Sequence, residues 1–217
     1  LEPRFARAHS GQSVCHWVMA FSGMAADPAA EAAAARRSAE AGLEADEDDP
    51  YTQWCYGRAV WLFGDAAECM RRAERAIQIS PGFSYGHHEI AVAESMHGDP
   101  TRAITHAEKF FGLSPFDPSL NSVQMARSHA ALRLGQTEEA ATWARAAADH
   151  PPTFVTILAP AALILAAADD MDGAKTIAAR LRAMPPDRGA ATVGQTVSAM
   201  SAELAALYRQ HGAQLDI

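Results

Sequence analysis

Aromatic residues and cysteines are scarce in this chain, and the patterns of several protein classes are missing. Aromatic side chains make up 7% of the 217 residues, and the three cysteines form no C-x-x-C pair. No stretch alternates β-branched with polar residues as a half-buried strand would. The longest apolar run, around residues 157–168, contains a proline and is too short to span a bilayer. These absences argue against a disulfide framework, a β fold and a membrane-spanning helix.

Basic residues are also few, since the formal net charge is −8. A surface that binds nucleic acid concentrates Lys and Arg to contact phosphates, and here the arginines are scattered. Much of the acid lies in residues 40–49, which have neither the glycine turn nor the ligand spacing of a calcium loop. We therefore expect no direct nucleic-acid partner and read the acidic stretch as a solvated loop between helices.

Catalytic motifs are absent as well. The chain has no G-x-S-x-G, no glycine-rich phosphate loop and no H-E-x-x-H. The run His87-His88-Glu89 suggests a metal, but adjacent helical side chains point roughly 100° apart and do not easily hold one ion. The sequence thus predicts no enzyme, no metal and no cofactor. The remaining alternative in that class is an α-helical enzyme with a site between helices.

What the chain has is alanine and a repeat. Apolar residues make up 49% of the sequence, and alanine, the strongest helix former, carries much of that share. A glycine and a later proline stand seventeen residues apart in three copies: Gly64 and Pro81, Gly98 and Pro115, Gly135 and Pro152. Successive copies are displaced by 34 and 37 residues, and a fourth copy has Asp169 and Pro186. This period predicts an all-α array of helical hairpins.

Helix signals fit the same register. Asp65 is a suitable N-cap, and Glu68 three residues later predicts a reciprocal capping pair. Asp99 precedes Pro100, which is favoured at the first helical position. The three cysteines fall within apolar helical patterns, which predicts buried, reduced thiols in a cytoplasmic protein.

Small residues and prolines recur at matching positions of the hairpins: Gly57, Ala76 and Pro81; Ala103 and Pro115; Ala140, Ala147 and Pro152. In this pattern the chain resembles the tetratricopeptide repeat (TPR) family, although Gln53 and Ala91 replace the usual aromatic and glycine. The resemblance implies a right-handed α-α superhelix, a TPR solenoid of about five helix pairs plus a C-terminal capping helix. The predicted division is an irregular first hairpin (1–50), repeats at 51–83, 84–116, 117–152 and 153–186, and a capping helix with tail (187–217).

The C-terminal part carries a stripe of apolar residues that step by four and three: Val193, Val197, Met200, Leu204 and Leu207. A repeat array needs a terminal helix that covers the last unit, so we interpret the stripe as a cap. A dimer seam of coiled-coil type is the alternative.

In the family that the chain resembles, the first helix of each pair lines a concave groove that binds partners. By register, the groove residues are Tyr51, Trp54, Arg58, Trp61, Tyr85, His88, Val92, Met125, His129 and Arg133. The first four step by three, four and three along one helical face, and aromatic residues with arginine are typical of interface hot spots. The alternative is that Trp54 and Trp61 fill the core between neighbouring helices.

The predicted function is a protein-interaction module that binds a peptide or protein domain in this groove. Three segments resemble the repeat regions of bacterial transcriptional regulators and adenylate or guanylate cyclases: Asp49-Pro50, residues 113–118 and residues 138–144. The first six residues, which begin at Leu1, resemble residues 79–84. We therefore expect an effector domain N-terminal to Leu1 in a larger signalling protein. A stand-alone cytosolic adaptor is the alternative.

Overall fold

The structure is a computed structural model that describes residues 5–22, 25–151, 153–185 and 193–217. All regular elements in these ranges are helices. They are α1 (Ala6–Phe21), α2 (Pro28–Ala45), α3 (Pro50–Trp61), α4 (Ala66–Ile79), α5 (Ser84–His97), α6 (Pro100–Leu113), α7 (Leu120–Arg133), α8 (Thr137–Asp149), α9 (Val155–Ala167), α10 (Met171–Arg182), α11 (Val193–Met200) and α12 (Ala202–Leu215). The predicted all-α fold of about five helix pairs is confirmed.

The chain divides into an N-terminal unit (residues 1–90) and a C-terminal unit (residues 91–217). In the N-terminal unit α1 packs on α2, α3 packs on α4, and α3 also contacts both helices of the first hairpin. In the C-terminal unit α7 packs on α6 and α8, α9 packs on α8 and α10, and both α11 and α12 pack on α9. The helix pairs α3–α4, α5–α6, α7–α8 and α9–α10 lie along the predicted repeat ranges, with α3 beginning one residue before 51.

Aspartate caps and left-handed corners set where the helices begin and turn. The side chains of Asp27, Asp49, Asp65, Asp99 and Asp170 each accept a hydrogen bond from a backbone N–H of the following first turn. The corners at Gly64 and Gly135 have φ of 83° and 75°, where glycine has no steric cost. Asp169 takes the same left-handed region in the fourth corner, with φ of 61°.

Two local expectations need correction, and others lie on residues that the structure does not describe. Glu68 does not complete a reciprocal cap: its carboxylate accepts hydrogen bonds from Arg71 and Arg72, and the Asp65 N–H bonds to the carbonyl of Val60. Cys15 is exposed, whereas Cys55 and Cys69 are buried; all three are free thiols. The prolines at 152 and 186 and the segment from Leu1 to 4 lie outside the described residues.

The C-terminal stripe belongs to two helices instead of one. Ser201 interrupts it with an extended backbone (φ −168°, ψ 163°), and its hydroxyl oxygen accepts a hydrogen bond from the N–H of Leu204. A serine N-cap favours a new helix start at this point. Val193, Val197 and Leu204 are nevertheless all fully buried, so the two short helices together bury the stripe that one helix was expected to bury.

The longest apolar run of the sequence is α9. Every residue from Ile157 to Ala166 is buried, so the helix is apolar on all sides because neighbours surround it. Among the described residues, no helix has both the length and the apolar character needed to cross a membrane.

Small residues mark the tight helix contacts, as the repeat pattern predicts. Ala103 and Ala140 are fully buried, and the carbonyl of Ala140 accepts a hydrogen bond from the hydroxyl of Ser128 on the neighbouring helix, at 2.7 Å. Ala140→Leu should therefore overpack this contact and lower the free energy of unfolding by about 1–3 kcal/mol. Thr142→Leu, on the exposed side of the same helix, is the matched control for chemical denaturation. Equal midpoints for the two variants would show that the assigned register is wrong.

Candidate partner-binding site

Six of the ten predicted groove residues lie in the N-terminal unit, and the rings of four of them pack against one another. The Trp54 ring stacks on Tyr85 with centroids 4.7 Å apart and tilts against Tyr51 at 5.4 Å. His88 meets Tyr85 edge-on at 6.3 Å. Trp54 is 5% exposed, whereas Tyr51, Tyr85 and Trp61 are half-buried. The rings of Tyr51, Trp54 and Tyr85 thus come together, and Trp54 belongs to the core of the stack.

Arg58 lies between two tryptophans. Its guanidinium carbon is 3.6 Å from the ring centroid of Trp17 on α1 and 5.1 Å from that of Trp54. Such cation–π contacts are strongest where water is excluded, and the Arg58 side chain is only 15% exposed. The sequence reasoning missed Trp17. Its position four residues before Phe21, on which it stacks at 4.5 Å, is the local signal that could have indicated it.

Glu89 lies at the base of this stack and is 1% exposed. It accepts a hydrogen bond from the indole N–H of Trp54 at 3.2 Å and one from the thiol of Cys69 at 3.5 Å. A guanidinium nitrogen of Arg58 is 3.7 Å from its carboxylate, and Nδ1 of His88 is 3.8 Å away. Four neighbours thus surround one buried carboxylate. We call Glu89, these four residues (Trp54, Arg58, Cys69 and His88) and Trp17 the Glu89 cluster.

The charge state of Glu89 follows from these neighbours. Burial alone raises its pKa, but Arg58, His88 and the Cys69 thiol outweigh burial, so the pKa of Glu89 lies below its usual value. Burial and the adjacent carboxylate raise the pKa of Cys69, which therefore stays a thiol and can donate. The Glu89 cluster thus contains an internal ion pair, and its contacts connect rings of α1, α3 and α5.

The histidine pair beside Glu89 is not solvated. His87 is 3% exposed, with Nε2 3.4 Å from the carbonyl of Pro81, and His88 is 4% exposed. Across the described part of the chain, no group of three or more His, Cys, Asp or Glu side chains is placed to hold a metal ion.

The other four predicted groove residues lie in the C-terminal unit and are largely covered. Val92, Met125 and His129 are 7%, 3% and 1% exposed. Met125 belongs to the same apolar cluster as buried residues of α11 and α12, among them Val197 and Leu204. Met125, His129 and Arg133 step by four along α7 and form what we call its inner face. This face contacts the C-terminal segment of the same chain.

Arg133, besides being a predicted groove residue, has a structural role at the end of α5. Its guanidinium donates to the carbonyls of Glu94, Ser95 and Gly98 at 3.0, 3.1 and 2.9 Å, where α5 ends. The last carbonyls of a helix lack partners within the helix, and Arg133 supplies donors to them; the carbonyl of Glu94 also accepts from the N–H of Gly98. Whether a partner binds at any of the ten residues stays a prediction.

Comparison with known proteins bears on the fold. In sequence, neither a family model nor a curated protein matches the chain. Among solved structures, a thermophilic TPR protein of Thermus thermophilus is 14% identical with a TM-score of 0.59, covering 87% of this chain and 92% of its own. PilF of Pseudomonas aeruginosa is 18% identical with a TM-score of 0.60, covering 85% and 78%. The type IV pilus biogenesis factor PilW is 14% identical with a TM-score of 0.63, covering 94% of each chain. At these identities the similarity establishes the fold alone, an all-α helical-repeat fold of TPR type.

Proposed function

We propose that this protein is an interaction scaffold that binds a peptide or a helix of another protein, with α3 as the primary contact. The observation that carries the proposal is the ring stack of the N-terminal unit. Tyr51 and Tyr85 keep part of their surface accessible beside a core that the Glu89 cluster holds in place. Trp61, seven residues after Trp54 on the same face of α3, is half-buried as well. Preorganised aromatic anchors bind with a small ordering cost, and Tyr, Trp and Arg are the residues that dominate binding energy at interfaces.

The test separates binding from folding by comparing exposed and buried rings. Ligands are selected on the wild-type protein from a library of displayed peptides, and the dissociation constant is then measured by fluorescence anisotropy. Trp61→Ala should weaken binding at least about tenfold while the melting temperature changes little, because the ring is half-buried. Trp54→Ala should instead lower the melting temperature, since it leaves a cavity and an unpaired Glu89 oxygen.

Phe116→Ala is the matched control, because this ring is 95% exposed and lies in the C-terminal unit. Unchanged binding in this variant is expected. If Phe116→Ala and Trp61→Ala weaken binding equally, the selected peptides recognise exposed rings in general and the assignment to α3 fails.

The cellular setting is a second, finer part of the proposal. We infer a regulatory segment of a larger bacterial signalling protein, supported by the resemblance of residues 113–118 and 138–144 to such repeat regions. A stand-alone adaptor fits the fold equally well. Three free thiols, one of them exposed, support a reducing, cytoplasmic location. Intact-mass measurement of the native polypeptide separates the two: a mass well above 23.1 kDa supports the regulatory segment, and a mass close to it supports the adaptor.

A further inference from the structure

The inner face of α7 is already in contact with another helix of the chain, α12. His129 and Arg133, which are one helical turn apart, both contact the start of α12. Nε2 of His129 is 2.8 Å from the hydroxyl oxygen of Ser201, and Nε of Arg133 is 3.6 Å from the carboxylate of Glu203. Helix α12 also packs on α9. It is therefore held by both α7 and α9.

The polar contact pairs a neutral ring with a hydroxyl. Burial lowers the pKa of His129 to about 4, which leaves the ring neutral at neutral pH. Its Nε2 and the Ser201 hydroxyl share one hydrogen bond, whose donor depends on the tautomer of the ring, and the Ser201 oxygen also accepts from the N–H of Leu204. The side chain of Leu204, fully buried, adds an apolar anchor next to the polar pair. The hydroxyl of Ser201 therefore contacts the imidazole of His129, and the carboxylate of Glu203 lies near the guanidinium of Arg133. Leu204 packs in the apolar cluster.

The fit of α12 is incomplete. His211 is 91% buried, and neither of its ring nitrogens has a hydrogen-bond partner among the described residues. Nδ1 of His129 is likewise buried without a partner. Each buried polar group left unpaired carries a desolvation cost that a fully complementary helix would not have. A helix that lacks a buried histidine at the position of His211 would dock without that part of the cost.

We propose that the inner face of α7 and α9 is a helix-binding surface, that α12 occupies it within the chain, and that a partner helix of the same pattern displaces α12. The partner begins with a Ser or Thr cap, has an acidic residue at the second position after the cap and an apolar residue at the third, and carries no buried polar side chain equivalent to His211. This inference rests on the proposed function and adds a partner class and an internal competitor. When an internal segment covers a surface, the apparent dissociation constant of an external ligand equals its intrinsic value divided by the fraction of molecules in which the surface is free.

The experiment uses the full chain and a labelled peptide of residues 193–217. Ser201→Ala combined with Leu204→Ala weakens the internal α12 without changing the residues of α7 and α9. This opened variant should bind the peptide at least tenfold more tightly than the wild type does, by fluorescence anisotropy. Peptides with Ser201→Ala or Glu203→Lys should bind the opened variant several-fold more weakly. Ala213→Ser, at an exposed position of α12, should have no effect.

Hydrogen exchange of the wild type gives a readout that does not depend on the variant. The amides of α12 should exchange as one group, well before those of α9, and addition of excess peptide should leave α9 protected. Exchange of α12 only together with α9 would overturn the proposal. So would an opened variant that keeps its α9 protection and binds no peptide, or one that loses α7 and α9 together with α12. The proposed function is tested separately, since its selected ligands are scored at Trp61 in the N-terminal unit.

Discussion

Replacing Arg58 with methionine is expected to lower the free energy of unfolding by about 3–5 kcal/mol, because a buried ion pair that loses one partner leaves an uncompensated charge. Glu89 is 1% exposed and has Arg58 as its cationic partner at 3.7 Å. Methionine keeps much of the volume between the Trp17 and Trp54 rings, so the loss of charge accounts for most of the effect. Chemical denaturation followed by tryptophan fluorescence measures it.

The pH dependence of stability tests whether the negative charge of Glu89 causes the destabilisation of this variant. In the wild type the pKa of Glu89 is lowered, so its contribution to stability is present above the unfolded pKa and is lost as the pH falls through the folded pKa. Arg58 is the largest influence that lowers this pKa, so its removal should raise the pKa of Glu89 relative to the wild type. The carboxylate that the variant leaves without its cation is then protonated at a higher pH than in the wild type. The gap between wild type and Arg58→Met should therefore narrow on acidification.

Glu89→Gln is the matched control, since it keeps an acceptor for the Trp54 N–H and removes the charge. The double variant Arg58→Met with Glu89→Gln should be more stable than Arg58→Met alone, because no buried charge remains. If the double variant is the least stable of the three, the Glu89 cluster is held by its hydrogen bonds and not by the ion pair.

Acidification should also destabilise the C-terminal unit through His129. Its folded pKa of about 4 lies below the ordinary histidine value of 6.5, so the folded state favours the neutral ring. Stability from this group is full above pH 6.5 and is lost as the pH falls toward 4, since the unfolded chain takes up the proton first. A shift of this size corresponds to about 3 kcal/mol at roughly 1.4 kcal/mol per pH unit. Hydrogen exchange of α7 and α12 amides across this range measures it.

Several charged groups act on the same ring. Burial is the main cause of the lowered pKa of His129; Arg133 and His97 lower it further, and Glu203 raises it. His129→Gln keeps an acceptor for the Ser201 hydroxyl and has no titration, so its α7 and α12 protection should depend less on pH between 6.5 and 4. Parallel profiles for this variant and the wild type would assign the acid sensitivity to other groups.

The fold was predictable because its signals are local. A glycine or aspartate corner, an aspartate cap and a proline at the first helical position each act within a few residues, and the 34-residue spacing repeats them. The break at Ser201 was missed because the apolar steps of four and three are the same for one long helix and for two short ones. Only the conformation of Ser201 distinguishes the two.

The depth of the candidate site was not predictable in the same way. Spacing places Trp54 and Trp61 on one face of α3, but Trp54 is buried because Glu89, 35 residues later, accepts its N–H. His129 is covered because Ser201, 72 residues later, returns to it. Periodicity reports which residues share a face; it carries no information about which distant segment lies on that face.

The contrast among the three thiols makes one of them a natural attachment point. Cys15 is exposed on α1, whereas burial raises the pKa of Cys55 to about 12 and Cys69 donates to a buried carboxylate. Thiolate is the reactive form, so electrophilic probes discriminate among these sites without any substitution. A fluorophore or spin label on Cys15 would sit on the helix whose Trp17 ring faces Arg58. The unaltered chain thus supplies its own reporter of events at the ring stack.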